Sequence, residues 1–251
     1  MAVCDVEYNG EKFELSYIIK NHNRHKSILF LHGWGSNKEV MQQAFGPYLP
    51  EFKHIYLDMP GFGHSPNDTT ILTTKDYANI VKKFLDTINV KPEVIAGHSF
   101  GGKVATLLNP KCLVLISSAG ILVPKSLKTR AKIAIYKLLK PFGIHKFRKF
   151  FVSPDAKYMN KVMYETFKGV VDEDFEYYFK NFTNKALLFW GIDDTATPLW
   201  TGEKINNLIP DSSLFELVGG HFFFIEDAKF ISERISKECK DLEKVDKEVD
   251  E

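Results

Sequence analysis

The sequence predicts an α/β chain: a mostly parallel central sheet with helices on both faces. Three observations carry this. Short apolar runs without alternation recur at Ser27–Leu31, 54–57, Cys112–Ile116 and 186–190, the pattern of strands buried on both faces. Between them lies a segment with helical period: Tyr77, Ile80, Val81, Phe84, Leu85 and Ile88 recur at steps of three and four within 73–89. Buried strands alternating with helices imply parallel pairing with crossover connections.

Taken in order, 3–8 and 13–19 read as strands around Asn9-Gly10, the strongest two-residue hairpin signal. Ser27–Leu31 runs into His32-Gly33-Trp34-Gly35, and 54–57 into Asp58 and Pro60-Gly61. Residues 94–96 form the next strand, Phe100–Leu108 a helix, and Cys112–Ile116 a further strand. Strands at 186–190 and 214–218 and a helix over 225–239 complete the set. Residues 121–182 break the alternation. They are helical in character, poor in strands, and placed as an insertion between two strands. The expected organisation is a core of 1–120 and 183–240, a helical lid of 121–182 inserted before the acid-bearing strand, and an acidic tail of 241–251.

A chain of 251 residues with 44% hydrophobic and 26% charged residues can bury a large single core, which excludes disorder as the default. The net charge is +1, but it is unevenly spread. Nine Lys or Arg and no Asp or Glu lie between Ile121 and Pro154, leaving 24 basic against 32 acidic residues elsewhere, a net of −8. Within 123–140, Leu127, Ala131, Ile133, Ala134, Ile135, Leu138 and Leu139 can form an apolar stripe flanked by lysines. Those lysines either stay in solvent or form a basic rim toward an anionic substrate, an acidic carrier protein or an anionic surface. No motif of nucleic-acid recognition accompanies them. Cys4, Cys112 and Cys239 have no paired spacing, which argues against a disulfide framework and a zinc site. The first ten residues lack the basic head and apolar run of a signal peptide, and no apolar stretch has the length of a transmembrane segment. A cytoplasmic setting is expected, with neither metal nor cofactor.

Gly97-His98-Ser99-Phe100-Gly101 follows the strand at 94–96 and fits G-x-S-x-G at a strand-to-helix turn. Such a turn forces the serine into an unfavourable backbone conformation and presents its hydroxyl at the carboxyl edge of the sheet. Serine is a poor nucleophile without a base. Downstream only His145 and His221 are available. His145 lies in the basic insertion. His221 follows a strand in Gly219-Gly220-His221 and is the expected base. An acid is expected in Trp190-Gly191-Ile192-Asp193-Asp194, where either aspartate is a candidate. Backbone N–H groups of Phe100 and Trp34 are the expected oxyanion donors.

With these residues placed, the chain resembles the α/β-hydrolase superfamily over roughly residues 13–239. The resemblance rests on His32-Gly33-Trp34-Gly35, the stretch from Asp58 to Ser65, the elbow at Ser99, the acid turn and Gly220-His221. The family's acid loop usually reads G-x-x-D-x-x-x-P; Gly191, Asp194 and Pro198 match it, so the resemblance implies Asp194. Trp34 resembles the oxyanion tryptophan of carboxylesterases. The resemblance implies hydrolysis of a carboxylic ester or thioester of a small or acyl-chain substrate through an acyl-serine. Two alternatives are a carbon–carbon bond hydrolase of 2-hydroxy-6-oxo-dienoate-type diketones and a non-catalytic ligand receptor. The former typically uses a lid arginine, and here the insertion's arginines are Arg130 and Arg148. A further departure is the short helix after the elbow, which ends before Asn109-Pro110.

Overall fold

The computed structural model describes residues 1–124 and 159–239. Eight strands form one sheet: β1 Ala2–Tyr8, β2 Glu11–Lys20, β3 Ser27–Leu31, β4 Lys53–Leu57, β5 Val94–His98, β6 Cys112–Ile116, β7 Lys185–Gly191 and β8 Ser212–Leu217. Their order is β1-β2-β4-β3-β5-β6-β7-β8. The β1–β2 and β2–β4 pairs are antiparallel and the rest are parallel. Asn9 and Gly10 turn the β1–β2 hairpin with φ of 52° and 81°, the left-handed pair that a tight hairpin needs.

Seven helices are described: α1 Lys38–Phe45, α2 Thr74–Thr87, α3 Phe100–Leu108, α4 Lys161–Val170, α5 Glu176–Lys180, α6 Leu199–Leu208 and α7 Phe224–Cys239. Two of them, α1 and α6, lie in stretches that the periodicity reading left unassigned. Every residue of β3, β5 and β6 is buried, because each strand is covered on both faces. One apolar layer joins α2, α3 and α6 to the sheet through Tyr77, Phe84, Val104, Trp190 and Ile205. The other joins α1 and α7 to its opposite face through Phe30, Phe45, Tyr56, Phe224 and Ile231. There Phe30 stacks between Phe45 and Tyr56, both at 4.9 Å between ring centroids. Burying one such ring contributes about 2–3 kcal/mol.

α2 starts where its cap dictates. Thr73 Oγ1 accepts the Asp76 N–H while Asp76 Oδ2 accepts the Thr73 N–H at 2.8 Å, a reciprocal capping box. The loop after β4 is organised by Asp58, which is fully buried and accepts from Lys38 N–H (2.7 Å), Lys38 Nζ (2.6 Å) and His64 N–H (2.8 Å).

The latter part of the insertion packs on the core rather than standing apart. Met163, Val170, Phe175, Phe179 and Phe182 join the apolar layer of α2 and α3. Lys103 of α3 donates to the carbonyl of Val170 and to Glu173 Oε2 (3.1 Å), and Glu173 also accepts from Thr74 Oγ1. Residues 125–140 of the amphipathic stretch, His145 and all nine basic residues between Ile121 and Pro154, Arg130 and Arg148 among them, lie outside the described residues, as does the tail of 241–251. No described helix is long and apolar enough to cross a membrane.

Candidate active site

Ser99 sits between β5 and α3 with φ 51° and ψ −114°, a conformation that non-glycine residues rarely adopt. The turn is held by Ser99 N–H to Ile116 O (3.1 Å) and by Gly102 N–H and Ala119 N–H to Ser99 O (3.0 and 3.1 Å). Its sharpness requires the flanking glycines. A Cβ on Gly97 would stand 2.3 Å from Gly101 O, and one on Gly101 would stand 2.5 Å from Leu31 O. Ser99 is thereby placed at the amino end of α3, where the helix leaves unpaired N–H groups and positive partial charge.

Phe100, the first residue of α3, carries one of those N–H groups. The loop after β3 orients a second. His32 is buried and burial lowers its pKa, so the ring is neutral at ordinary pH. Its Nε2 accepts the Met59 N–H at 3.1 Å, so Nδ1 carries the proton and donates to Gly33 O at 2.8 Å. Ser36 N–H holds the same carbonyl at 3.1 Å. In a trans peptide the N–H points opposite the C=O. Pinning the Gly33 carbonyl therefore aims the Trp34 N–H the other way. The Trp34 ring packs against Phe62, Phe100 and Phe167.

His221 follows β8, and its Nδ1 lies 2.8 Å from Asp194 Oδ2. Asp194 is 4% exposed, whereas its neighbour Asp193 faces solvent. The carboxylate is well supplied with donors. Oδ1 accepts the Ala196 and Thr197 N–H groups (2.8 and 3.0 Å), and Thr197 Oγ1 is 2.8 Å from Oδ2. Burial by itself would push the carboxyl up. The hydrogen bond and charge of His221, with the Thr197 N–H, outweigh it and hold Asp194 well below the usual carboxylate range. An ionised Asp194 can only accept, so His221 Nδ1 bears the proton and Nε2 keeps its lone pair.

Ser99, Trp34, Phe100, Ala196, Thr197 and His221 line one cavity of about 430 Å³. Its remaining described wall is largely apolar, including Ile121, Leu122, Phe167 and Val170, with Lys103 and Glu173 at one side. Of the insertion's described aromatic residues, Phe167 reaches the cavity, whereas Phe175 and Phe179 are core. The structure thus brings together all five residues singled out in the sequence: four line the cavity, and Asp194 stands behind His221.

Three contributors escaped the sequence reading. Thr197 cradles Asp194, Lys103 ties α3 to the end of α4 through the Val170 carbonyl, and His98 contacts the His221 loop. The first is a capping hydroxyl three residues after an aspartate, a spacing with a recognisable signal. The other two make long-range contacts that local patterns do not report. Glu39, Asp58 and His64 offer ligand atoms within 4.8 Å of one another, but the Lys38 ammonium already fills that place. It lies 2.7, 2.6 and 3.3 Å from them respectively.

Comparison with known proteins agrees with this architecture. The family model described as alpha/beta hydrolase fold matches residues 26–127. The uncharacterized hydrolase YugF of Bacillus subtilis is 27% identical over 248 residues, covering 84% of this chain and 89% of its own. A pimeloyl-[acyl-carrier protein] methyl ester esterase of Pseudoalteromonas atlantica is 37% identical over 101 residues, 37% of each chain. Among solved structures, an esterase from Thermogutta terrifontis superposes with a TM-score of 0.71 at 16% identity, covering 96% of this chain and 98% of that one. The sheet order, the elbow and these relatives lead to one assignment: the chain has the α/β-hydrolase fold and resembles hydrolases of that fold, esterases among them.

Proposed function

We propose that the protein hydrolyses a carboxylic ester or thioester through an acyl-serine intermediate, with Ser99 as nucleophile, His221 as general base and Asp194 as the acid that orients it. The observation that carries this reading is the strained Ser99 opening onto the same cavity as His221, whose far nitrogen is 2.8 Å from a buried carboxylate. His221 Nε2 takes the Ser99 proton as Oγ attacks the acyl carbon. The carbonyl electron pair moves onto oxygen, where the Trp34 and Phe100 N–H groups receive it. Collapse expels the alcohol or thiol, which leaves with the proton from His221. Water then attacks the acyl-serine with His221 again as base, releasing the acid and restoring the hydroxyl. Asp194 stabilises the imidazolium in both halves. Each oxyanion donor lowers the barrier by about 3 kcal/mol.

The apolar wall suits an acyl chain better than a charged one. Lys103, the lysine on the described wall, is committed to Glu173 and the Val170 carbonyl. That favours the ester over the dienoate, whose carboxylate asks for an unengaged cation.

The test is turnover of short p-nitrophenyl esters together with covalent labelling by a fluorophosphonate. Wild type should show both and Ser99→Ala neither. Undiminished turnover in the alanine variant would refute the assignment.

A further inference from the structure

His98 is buried, titratable and unused in the reaction scheme above. It occupies the variable position directly before the nucleophile. Its Nε2 lies 2.9 Å from the main-chain carbonyl of His221. A carbonyl only accepts, so His98 Nε2 carries the proton and donates. The other nitrogen, Nδ1, is buried without a partner. A ring used only as apolar filling has no need of two polar atoms, one of them left unsatisfied.

We infer that His98 is a positioning residue, which fixes the backbone of His221 relative to Ser99 through its Nε2–H···O bond. The inference rests on the reading of His221 as base. Two glycines precede His221 in its loop, the first with φ +128°, and the Gly219 carbonyl accepts the Asp193 N–H at 3.0 Å. Asp194 restrains the ring at its far nitrogen. His98 restrains the same residue at its carbonyl. Because His98 and Ser99 are consecutive, one covalent bond and one hydrogen bond link the backbone of Ser99 to that of His221, whose side chain lines the same cavity. The elbow and the base therefore move as one unit.

The surroundings fit that role. The His98 ring packs 4.7 Å from the His221 ring, 5.1 Å from Phe222 and 4.8 Å from Phe224. Across from these, the loop after β3 leaves no slack: a Cβ on Gly33 would meet His98 Nδ1 at 2.8 Å. Burial, and then the neighbouring His221, push the His98 pKa down to about 3. The strut thus stays uncharged while an imidazolium forms beside it.

The experiment compares wild type, His98→Phe, His98→Gln and Ser99→Ala by steady-state kinetics on p-nitrophenyl butyrate, fluorophosphonate labelling rate and melting temperature. Phenylalanine keeps the ring and removes the donor; glutamine places an amide nitrogen near the Nε2 position. His98→Phe should lower kcat and the labelling rate together by roughly 30-fold, the scale of a sub-ångström misplacement, with KM changed by less than about twofold. His98→Gln should recover most of the loss, to within about fivefold of wild type. An undiminished kcat in His98→Phe, or equal losses in both variants, would overturn the inference. Should His98→Phe not fold, 15N spectra of the histidine-labelled wild-type protein decide: the inference requires a neutral His98 with its proton on Nε2, and a proton on Nδ1 sinks it. Activity persisting in Ser99→Ala refutes the nucleophile instead, so the two failures are distinguishable.

Discussion

Replacing Asp194 by asparagine tests the electrostatic core of the proposed site. The carboxylate oxygen is 2.8 Å from His221 Nδ1, and Asp194 is 4% exposed. At an effective dielectric of about 20, unit charges at that separation attract by roughly 6 kcal/mol. Part of this is already present in the ground state as a hydrogen bond to the neutral ring, worth about 1.5–3 kcal/mol because the acceptor is charged. The net loss on forming the imidazolium is therefore about 3–5 kcal/mol, or roughly 10²–10⁴ in kcat. A second effect has the same sign. The asparagine amide can donate to Nδ1, which draws the proton onto Nε2 and removes the lone pair that should face Ser99. The assay is kcat and kcat/KM for p-nitrophenyl butyrate, with Asp193→Asn as control, since the Asp193 side chain faces solvent. Asp194→Asn should lose activity by at least about 10²-fold with KM little changed, while Asp193→Asn stays near wild type. A loss below about tenfold in Asp194→Asn, or a larger one in Asp193→Asn, would refute the assignment of the acid.

Three further outcomes follow from the packing and the charges. Gly101→Ala drives a methyl group against the Leu31 and His32 carbonyls, 2.5 and 2.6 Å away; urea unfolding should show a loss of about 1–3 kcal/mol, and an unchanged midpoint would contradict the close approach. Glu173→Gln leaves the buried Lys103 ammonium without its counter-charge and should cost about 3 kcal/mol, whereas Lys103→Met leaves a partly exposed Glu173 that water can solvate and should cost less; the reverse order in chemical denaturation would show that the pair does not act as described. His98 has a folded pKa lowered to about 3, so the unfolded chain takes up the proton first as pH falls. Its contribution to stability is intact above the unfolded value near 6.5 and declines as pH drops from there toward 3, with a slope of at most about 1.4 kcal/mol per pH unit. His98→Phe should remove that part of the acid slope, and parallel stability curves for the two proteins between pH 7 and 4 would exclude a buried neutral imidazole.

Much of this fold is legible in local chemistry. Ser27–Leu31 and Cys112–Ile116 are strands with the bounds that their apolar runs predict, because both faces of each are covered. The helix expected from Thr73 has Thr73 as its cap, since a hydroxyl with an aspartate three residues on satisfies two orphan N–H groups within one turn. The elbow motif likewise contains its own geometric demand: small residues where backbones must nearly touch. By contrast α1 was not legible. It is one short stretch, and its first residue, Lys38, is buried against Asp58, a partner twenty positions away. Strand β5 runs two residues beyond the apolar stretch, to His98, because Gly97 and His98 pair with β6 rather than ending in a loop.

What the sequence alone determined is therefore whatever depends on neighbours within a turn or two: strand and helix periods, caps, the hairpin at Asn9-Gly10 and the residue types able to act as nucleophile, base and acid. Tertiary structure alone decided the order of strands, with β4 inserted between β2 and β3. It alone decided which of two adjacent carboxylates is buried beside His221, and that the His98 ring meets the main-chain carbonyl of His221. The physical reason is range: caps and periodicity act along a few residues of chain, whereas desolvation, ion pairing and ring contact act through space between segments that local sequence does not relate.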